Sequence, residues 1–449
     1  MSRRGARRAI ADLYTGATSL FAAAPARPLR WSSVGLGTGA VLAGTAVSLL
    51  RQPGVGPLDT VWAEDGQIFL SAAVNNGPLD AVATSYAGYY HLVPRLLAQL
   101  VSYLPPELAA AGLAIGAAVC TALIALFVFV ASGAHLRSTL SRLLVSAVVI
   151  VMPLANENSN SPANLHWAGL YAVFWALIWR PRSLAGRVVA AAAVVLVAFS
   201  DILVLIYLPL ALLRVVRRPP EGGRDRHGLV LAALLAAGVA VQVTGLLTGS
   251  SSRHLSPNPV PVAKGYVLRV VPDAMLGERA LGTDTHAVRW LALTAVAWLL
   301  LAVVAALAWR GSTRPSWPLA GMALVYSVAL YALPVTLEGA AIPRYAAAPV
   351  MLLVTAMVAA LQPGPAPSPA GRRALAPLYA LAALLAVVWA VNLRVVDNTR
   401  ADGPRWSAEL QQARAACHGT PAGTATLPLP PHEDVPPWRA ELPCAYVLR

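Results

Sequence analysis

Apolar runs of about 20 residues, the length a helix needs to cross a bilayer's hydrocarbon, recur along this chain and alternate with short polar stretches that carry clusters of arginine. That alternation restricts the fold to an all-α polytopic bundle. Within hydrocarbon, every backbone N–H and C=O must be satisfied inside its own helix or in a closed barrel, and the runs lack the two-residue alternation of barrel strands. Composition agrees, since 57% of the 449 residues are hydrophobic and only 12% are charged. The formal net charge of +14 raises nucleic acid as a partner. The arginines, however, fall between the apolar runs, the pattern that orients helices in a membrane, so no nucleic-acid binding is expected.

Counting the runs gives about eleven spans. The first covers Trp31–Leu50 and follows Arg3, Arg4, Arg7, Arg8, Arg27 and Arg30, which makes segment 1–30 cytoplasmic and puts the next loop, 51–106, outside. The basic start leads to no short apolar core with a small-residue cleavage site, so the first span is expected to be retained. Segment His91–Leu104 is too short to cross. Its Leu92, Val93, Leu96, Leu97, Leu100, Val101 and Leu104 share one face opposite Arg95, Gln99 and Ser102, the pattern of a helix lying in the outer interface. Were it a span, Arg137, Arg142 and every later basic cluster would be inverted.

The remaining spans lie near 107–131, 143–154, 165–179, 188–199, 202–213, 229–247, 289–309, 317–337, 346–361 and 374–395, with a long outer loop at 248–288. The membrane region is thus 31–395. An odd number of spans leaves the tail, 396–449, outside the cytoplasm, where Cys417 and Cys444 are disulfide candidates. The tail is too small to hold much core of its own, so such a bridge would matter.

Polar clusters gather on the outer side, whereas the spans are nearly free of ionisable residues at mid-depth. Loop 51–106 holds the adjacent acids Glu64 and Asp65. On a helix they diverge by about 100 degrees, so one can take a reacting proton while the other orients the loop. Equally, Asp65 can simply cap a helix starting at Gly66. Arg344, beside Pro343 and Tyr345 before the tenth span, suits an anionic lipid phosphate, or snorkels at a span end. Arg95 and Lys264, the lone lysine, carry the same two readings. The amide-rich run Asn156–Trp167, with Glu157, Asn158, Asn164, His166 and Trp167, offers hydrogen bonds and an aromatic face to a sugar, or is a polar turn at the membrane's aromatic belt. Tyr86, Tyr89, Tyr90 and His91 share that ambiguity, and Asp201 is a further outer polar residue. His91, His166, His254 and His286 form no paired metal-ligand motif; a divalent cation, Mg or Mn, on Glu64 or Asp65 is left open.

A cytoplasmic N-terminus, one span, an outer loop with the acidic pair Glu64–Asp65 and then an interfacial helix resemble the polytopic glycosyltransferases of the GT-C fold, which use polyprenyl-phosphate sugars. The resemblance covers most of the membrane part. It implies a multi-pass protein of the cell membrane that transfers a sugar, with inversion, to a cell-envelope glycan, lipid or protein. It maps the first-loop carboxylate that activates the acceptor hydroxyl onto Asp65 or Glu64, and the late-loop arginine that holds the donor phosphate onto Arg344. The C-terminal domain is much smaller than in oligosaccharyl or arabinosyl transferases. A lipid or polysaccharide flippase would show polar residues along a path through the spans; a non-catalytic envelope-assembly protein would tolerate loss of the carboxylate.

Overall fold

The computed structural model describes residues 20–21, 23, 31–154, 157–217, 223–248, 258–282, 288–310, 313–363, 369–394, 400–431 and 436–449. Asn156, Arg253, His254, His286 and the arginines before the first span lie outside them.

Each expected span coincides with an apolar helix. In chain order the main elements are α1 (Trp31–Leu50), α2 (Leu92–Ser102), α3 (Ala109–Ser132), α4 (Thr139–Val151), α5 (Leu165–Ile178), α6 (Leu184–Ala198), α7 (Leu208–Val216), α8 (Arg226–Thr248), α9 (Val288–Trp309), α10 (Trp317–Glu338), α11 (Ala347–Ala360), α12 (Pro369–Val391) and α13 (Trp406–Gly419). An antiparallel ribbon of β1 (Thr424–Pro428) and β2 (Arg439–Pro443) follows, with Thr424 opposite Pro443 and Pro428 opposite Arg439. Helices α1, α3, α8, α9, α10 and α11, the last with its leading turn from Pro343, are long and apolar enough to cross a membrane; α4, α5, α6, α12 and the segment Ile202–Val216 are shorter apolar helices. The chain is a multi-pass, helical membrane protein.

Helices α5 and α11 are the central ones. All of α11 is buried, and so is α5 from Trp167 to Ile178. Helix α11 packs against α10, α4 and α5, and α5 against α3 and α6. The outer helices instead turn leucines such as Leu42, Leu247 and Leu299 outward. At 14 residues each, α5 and α11 rise about 21 Å, less than the hydrocarbon thickness of about 30 Å. Irregular backbone at that depth is tolerated only where protein buries it or it lines a cavity. The loops that lead into α5 and α11 meet that condition, and the cavity they line is described below.

Helix α2 has the expected amphipathic pattern, but its polar side is turned differently. Leu96, Leu100 and Leu104 are exposed, while Arg95 and Ser102 point into the protein. One edge of the apolar face, Leu96, Leu100 and Leu104, is therefore exposed, while Val101 and the polar face serve internal contacts.

The tail shares its core with loop 51–106 and the helices beside it. Trp406, Leu410, Leu427, Leu429, Leu442 and Val447 cluster with Val61, Phe69, Leu70, Ala98, Val101 and Leu113. Cys417 and Cys444 are disulfide-bonded with Cα atoms 5.3 Å apart, stapling α13 to the end of β2. The indole of Trp406 donates to Pro106 at 2.8 Å, and Ser407 N–H and Oγ donate to the Asp59 carboxylate at 2.8 and 2.9 Å. Arg51, buried at the end of α1, donates to the carbonyls of Ile150 and Met152 that end α4, and to Leu393 at 3.1 Å beyond α12. These contacts fix loop 51–106 and the tail as one cap over one end of the bundle.

Candidate active site

A cavity of about 250 Å³ lies beneath that cap. Five segments far apart in sequence enclose it: the loop and turn at 64–91, the start of α5, the turn at 201–203, the last turns of α10 at Pro334 and Leu337, and the turn before α11. Trp438, just ahead of β2, closes it from the tail.

The acidic pair is split by the local backbone. Residues Asp65–Leu70 form a π-helical turn with Glu64 at its N-cap position and no side-chain cap bond, so Asp65 is not the helix cap that its position suggested. Glu64 lines the cavity, and its Oε2 is buried without a hydrogen-bond partner. Burial raises its carboxyl above the ordinary glutamate range; the nearby Arg344 charge pulls it down, and Glu157 adds to the rise.

Asp65 is absent from the cavity lining and is 1% exposed. Its Oδ1 accepts the Ala163 N–H at 2.7 Å, Ser161 adds a side-chain bond, and the Arg400 charge lies close by. Burial outweighs all three and pushes this carboxyl up to about 7. Arg400, also 1% exposed, donates to the carbonyls of Ser159 at 3.0 Å and Thr60 at 3.4 Å. Asp65 and Arg400 thus pin loop 157–164 between loop 51–106 and the tail.

That loop braces itself. Asn160, at φ +56°, donates from Nδ2 to Ser48 O at 3.0 Å and accepts at Oδ1 from Ser48 Oγ at 2.9 Å. Asn158 donates to Leu154 O at 3.3 Å and Asn164 to Glu157 O at 2.9 Å. The amides of this run are largely spent on holding a rigid loop; Asn164 also lines the cavity, and Asn158 does not. The rigid loop presents Glu157, which forms an ion pair with Arg344. Arg344 lines the cavity from the 3-10 turn Pro343–Ala346, its Cζ 5.8 Å from the Tyr345 ring.

The opposite wall is aromatic. Tyr86 and Tyr89 exchange backbone hydrogen bonds of 2.9 and 3.2 Å across a two-residue turn in which Ala87 and Gly88 have φ of +52° and +86°. That is the backbone of a type I′ turn, which glycine adopts freely and alanine only with strain. The turn packs Tyr86 and Tyr89 on His91, with ring centroids 5.6 and 4.2 Å away, and Phe69 lies 5.5 Å from the same ring. Across the cavity, Trp167 lies 4.6 Å from His166 and 5.6 Å from Tyr345. Asp201 accepts the Leu203 N–H at 2.8 Å, capping its own turn at the cavity edge.

Of the residues singled out in the sequence, Glu64, Tyr86, Tyr89, His91, Asn164, His166, Trp167, Asp201, Arg344 and Tyr345 line one cavity, with Glu157 paired behind Arg344. Besides Asp65 and Asn158, three others serve elsewhere. Arg95 donates to Ala81 O at 2.7 Å with its Cζ 5.4 Å from the Phe69 ring. The Tyr90 backbone exchanges bonds with Gln242, and Lys264 is exposed at the end of the short helix Pro259–Gly265, away from the cavity. Sequence reasoning missed Phe69, which reads as core, and Trp438, whose only signal was an indole in a Pro-rich tail. Among the described residues, no group of three or more His, Cys, Asp or Glu is arranged to hold a metal ion.

No protein-family model and no curated protein matches this chain. Among solved structures, it is similar to the arabinofuranosyltransferase AftD from Mycobacteria, determined by cryo-EM, at 18% identity and a TM-score of 0.46. The match covers 86% of this chain and 29% of that one, so this chain corresponds to under a third of that protein's length. A likeness at that level assigns neither family nor activity, and the functional reading rests on the cavity's own residues.

Proposed function

We propose that the protein is a membrane glycosyltransferase of GT-C type that moves a sugar from a polyprenyl-phosphate donor to a hydroxyl of a cell-envelope acceptor on the outer face. The observation that carries this reading is the presence, in one cavity at the edge of the bundle, of a carboxylate with a buried, unpartnered oxygen, Glu64, and a guanidinium before a buried span, Arg344. Glu64 acts as general base. It takes the proton of the acceptor hydroxyl as that oxygen attacks the anomeric carbon with inversion. The bond from the anomeric carbon to the phosphate oxygen breaks, and the electron pair leaves with the polyprenyl phosphate, whose charge Arg344 stabilises. Burial favours the base role, because a carboxylate held above its usual range accepts a proton more readily near neutral pH. The Tyr86, Tyr89 and His91 wall and Trp167 offer flat apolar faces to sugar rings.

The test is transfer of radiolabelled sugar from polyprenyl-phosphate donors in membrane vesicles. Glu64→Gln should lower transfer by about 100-fold or more, the share a general base supplies, with the protein still folded. Wild-type transfer in Glu64→Gln removes the base assignment. No transfer by folded wild type from any donor turns the reading to a flippase or binding protein.

A further inference from the structure

Helix α5 runs from the cavity at His166 to the opposite end of the bundle, where its last carbonyls meet Arg214 of α7. Arg214 is 2% exposed and donates from Nη1 to Ala176, Leu177 and Trp179 at 3.3, 2.7 and 2.9 Å. Its Nε pairs with Asp225 Oδ2 at 3.0 Å, and Asp225 Oδ1 accepts the Gly228 N–H at 2.8 Å at the start of α8. One arginine and one aspartate thereby tie together the ends of three helices. The remaining nitrogen of Arg214, Nη2, is buried and makes no hydrogen bond, and Nε2 of His227 is in the same condition.

Both side chains line a cavity of about 440 Å³. Arg180, Arg182, Arg187, Arg224 and Arg226 surround it, and among the described residues Asp225, engaged by Arg214 and 3.7 Å from Arg180, is the one carboxylate in the lining. Orienting helices in a membrane requires arginines only somewhere on a face; it does not require them to converge on a concavity. Arg142, at the same end, illustrates the ordinary use: it donates to Phe129 O at 2.9 and 3.1 Å and stacks 4.1 Å from the Phe129 ring. The arginines around Arg214 instead converge on a positive hollow, lined also by Arg214, whose buried Nη2 is an unsatisfied donor. Guanidinium forks match the oxygens of a phosphate, and the volume suits a group larger than a single ion.

We propose that this cavity binds a phosphate-bearing anion, supplied by the headgroup of an anionic phospholipid of the leaflet facing that end of the bundle. The site is independent of the glycosyltransfer reading, since it lies at the other end of α5 and shares no residue with the first cavity.

The test uses the full chain in nanodiscs. Thermal unfolding is followed by tryptophan fluorescence in phosphatidylcholine discs, in discs with phosphatidylglycerol added, and in phosphatidylcholine discs titrated with inorganic pyrophosphate. Wild type is compared with R187Q/R224Q/R226Q, which spares the Arg214–Asp225 junction. The control is R137Q/R310Q/R314Q, an equal loss of charge at exposed arginines of the same end outside the cavity. Stabilisation by phosphatidylglycerol that weakens by about tenfold or more in apparent affinity in the cavity variant, and not in the control, supports a lipid occupant. The same contrast seen with pyrophosphate alone supports the phosphate site and overturns the lipid source. Equal responses of the two variants overturn the site, because diffuse surface charge then accounts for binding.

Discussion

Replacing Asp65 by Asn separates an anchoring role from a catalytic one. Asn keeps an oxygen to accept the Ala163 N–H, now at 2.7 Å, and removes only the charge. Wild-type Asp65 is held at about 7, above the ordinary aspartate value of 3.8, because burial outweighs the Ala163 bond and the Arg400 charge. The folded state therefore binds a proton that the unfolded state has lost throughout that interval. For a group raised in this way, the stability contribution is full below the unfolded value and is lost as pH rises through the folded one. At about 1.4 kcal/mol per pH unit, the interval from 3.8 to about 7 comes to about 4 kcal/mol. Between pH 4 and pH 8, wild type should thus lose about that much stability relative to Asp65→Asn, read as diverging thermal midpoints in detergent. Transfer by the Asn variant at neutral pH should stay within about threefold of wild type, since loop 157–164 keeps its anchor. Parallel midpoint curves would show that Asp65 takes up no proton on folding. Divergence of opposite sign would show that the Arg400 ion pair outweighs burial. A stable variant without transfer would make Asp65, not Glu64, the base.

Three further outcomes are expected. The acid limb of the transfer rate should lie above the ordinary glutamate value of 4.5, because burial raises Glu64 and the base is lost as pH falls through its folded value; a limb at or below that value in a pH profile contradicts the assignment. Arg344→Lys should raise the donor KM by about tenfold or more while leaving the acceptor KM nearly unchanged, as a point charge replaces a two-pronged donor; equal effects on both constants would deny a donor-phosphate role. Cys417→Ser should cost about 3 kcal/mol of stability for a bridge of sequence separation 27, read by thermal unfolding. It should also raise the acceptor KM along with Trp438→Ala, because the stapled tail carries Trp438 to the cavity; a destabilised variant with unchanged acceptor KM would separate tail from site.

The bilayer made most of the fold legible. A span has to be a self-satisfied apolar helix of fixed length, so runs such as Arg226–Thr248 and Trp317–Glu338 could be read almost to the residue. The amphipathic helix after the first loop was legible as well, from the periodicity of Leu92 to Leu104. Its rotation was not, because sequence spacing gives the faces of a helix but not which of them meets protein, and Arg95 turned inward to a carbonyl that belongs to Ala81.

The site was legible as a set of residues and not as roles. Adjacent Glu64 and Asp65 are equivalent in a sequence; a π-helical turn and a backbone N–H 98 positions away distinguish them. The amide-rich run carried two readings, sugar binding and a polar turn, and hydrogen bonds to Ser48, Leu154 and Glu157 engage most of its amides in bracing the loop. By itself, the sequence determined a multi-pass helical bundle, its spans and the polar stretches between them, because hydropathy and helix length are local properties. Only the tertiary structure decided that Glu64 meets Arg344 while Asp65 is buried behind it, that Trp438 of the tail closes the cavity, and that arginines from four segments converge at the far end. Those are distances between residues remote in sequence, fixed by how short buried helices and their loops pack.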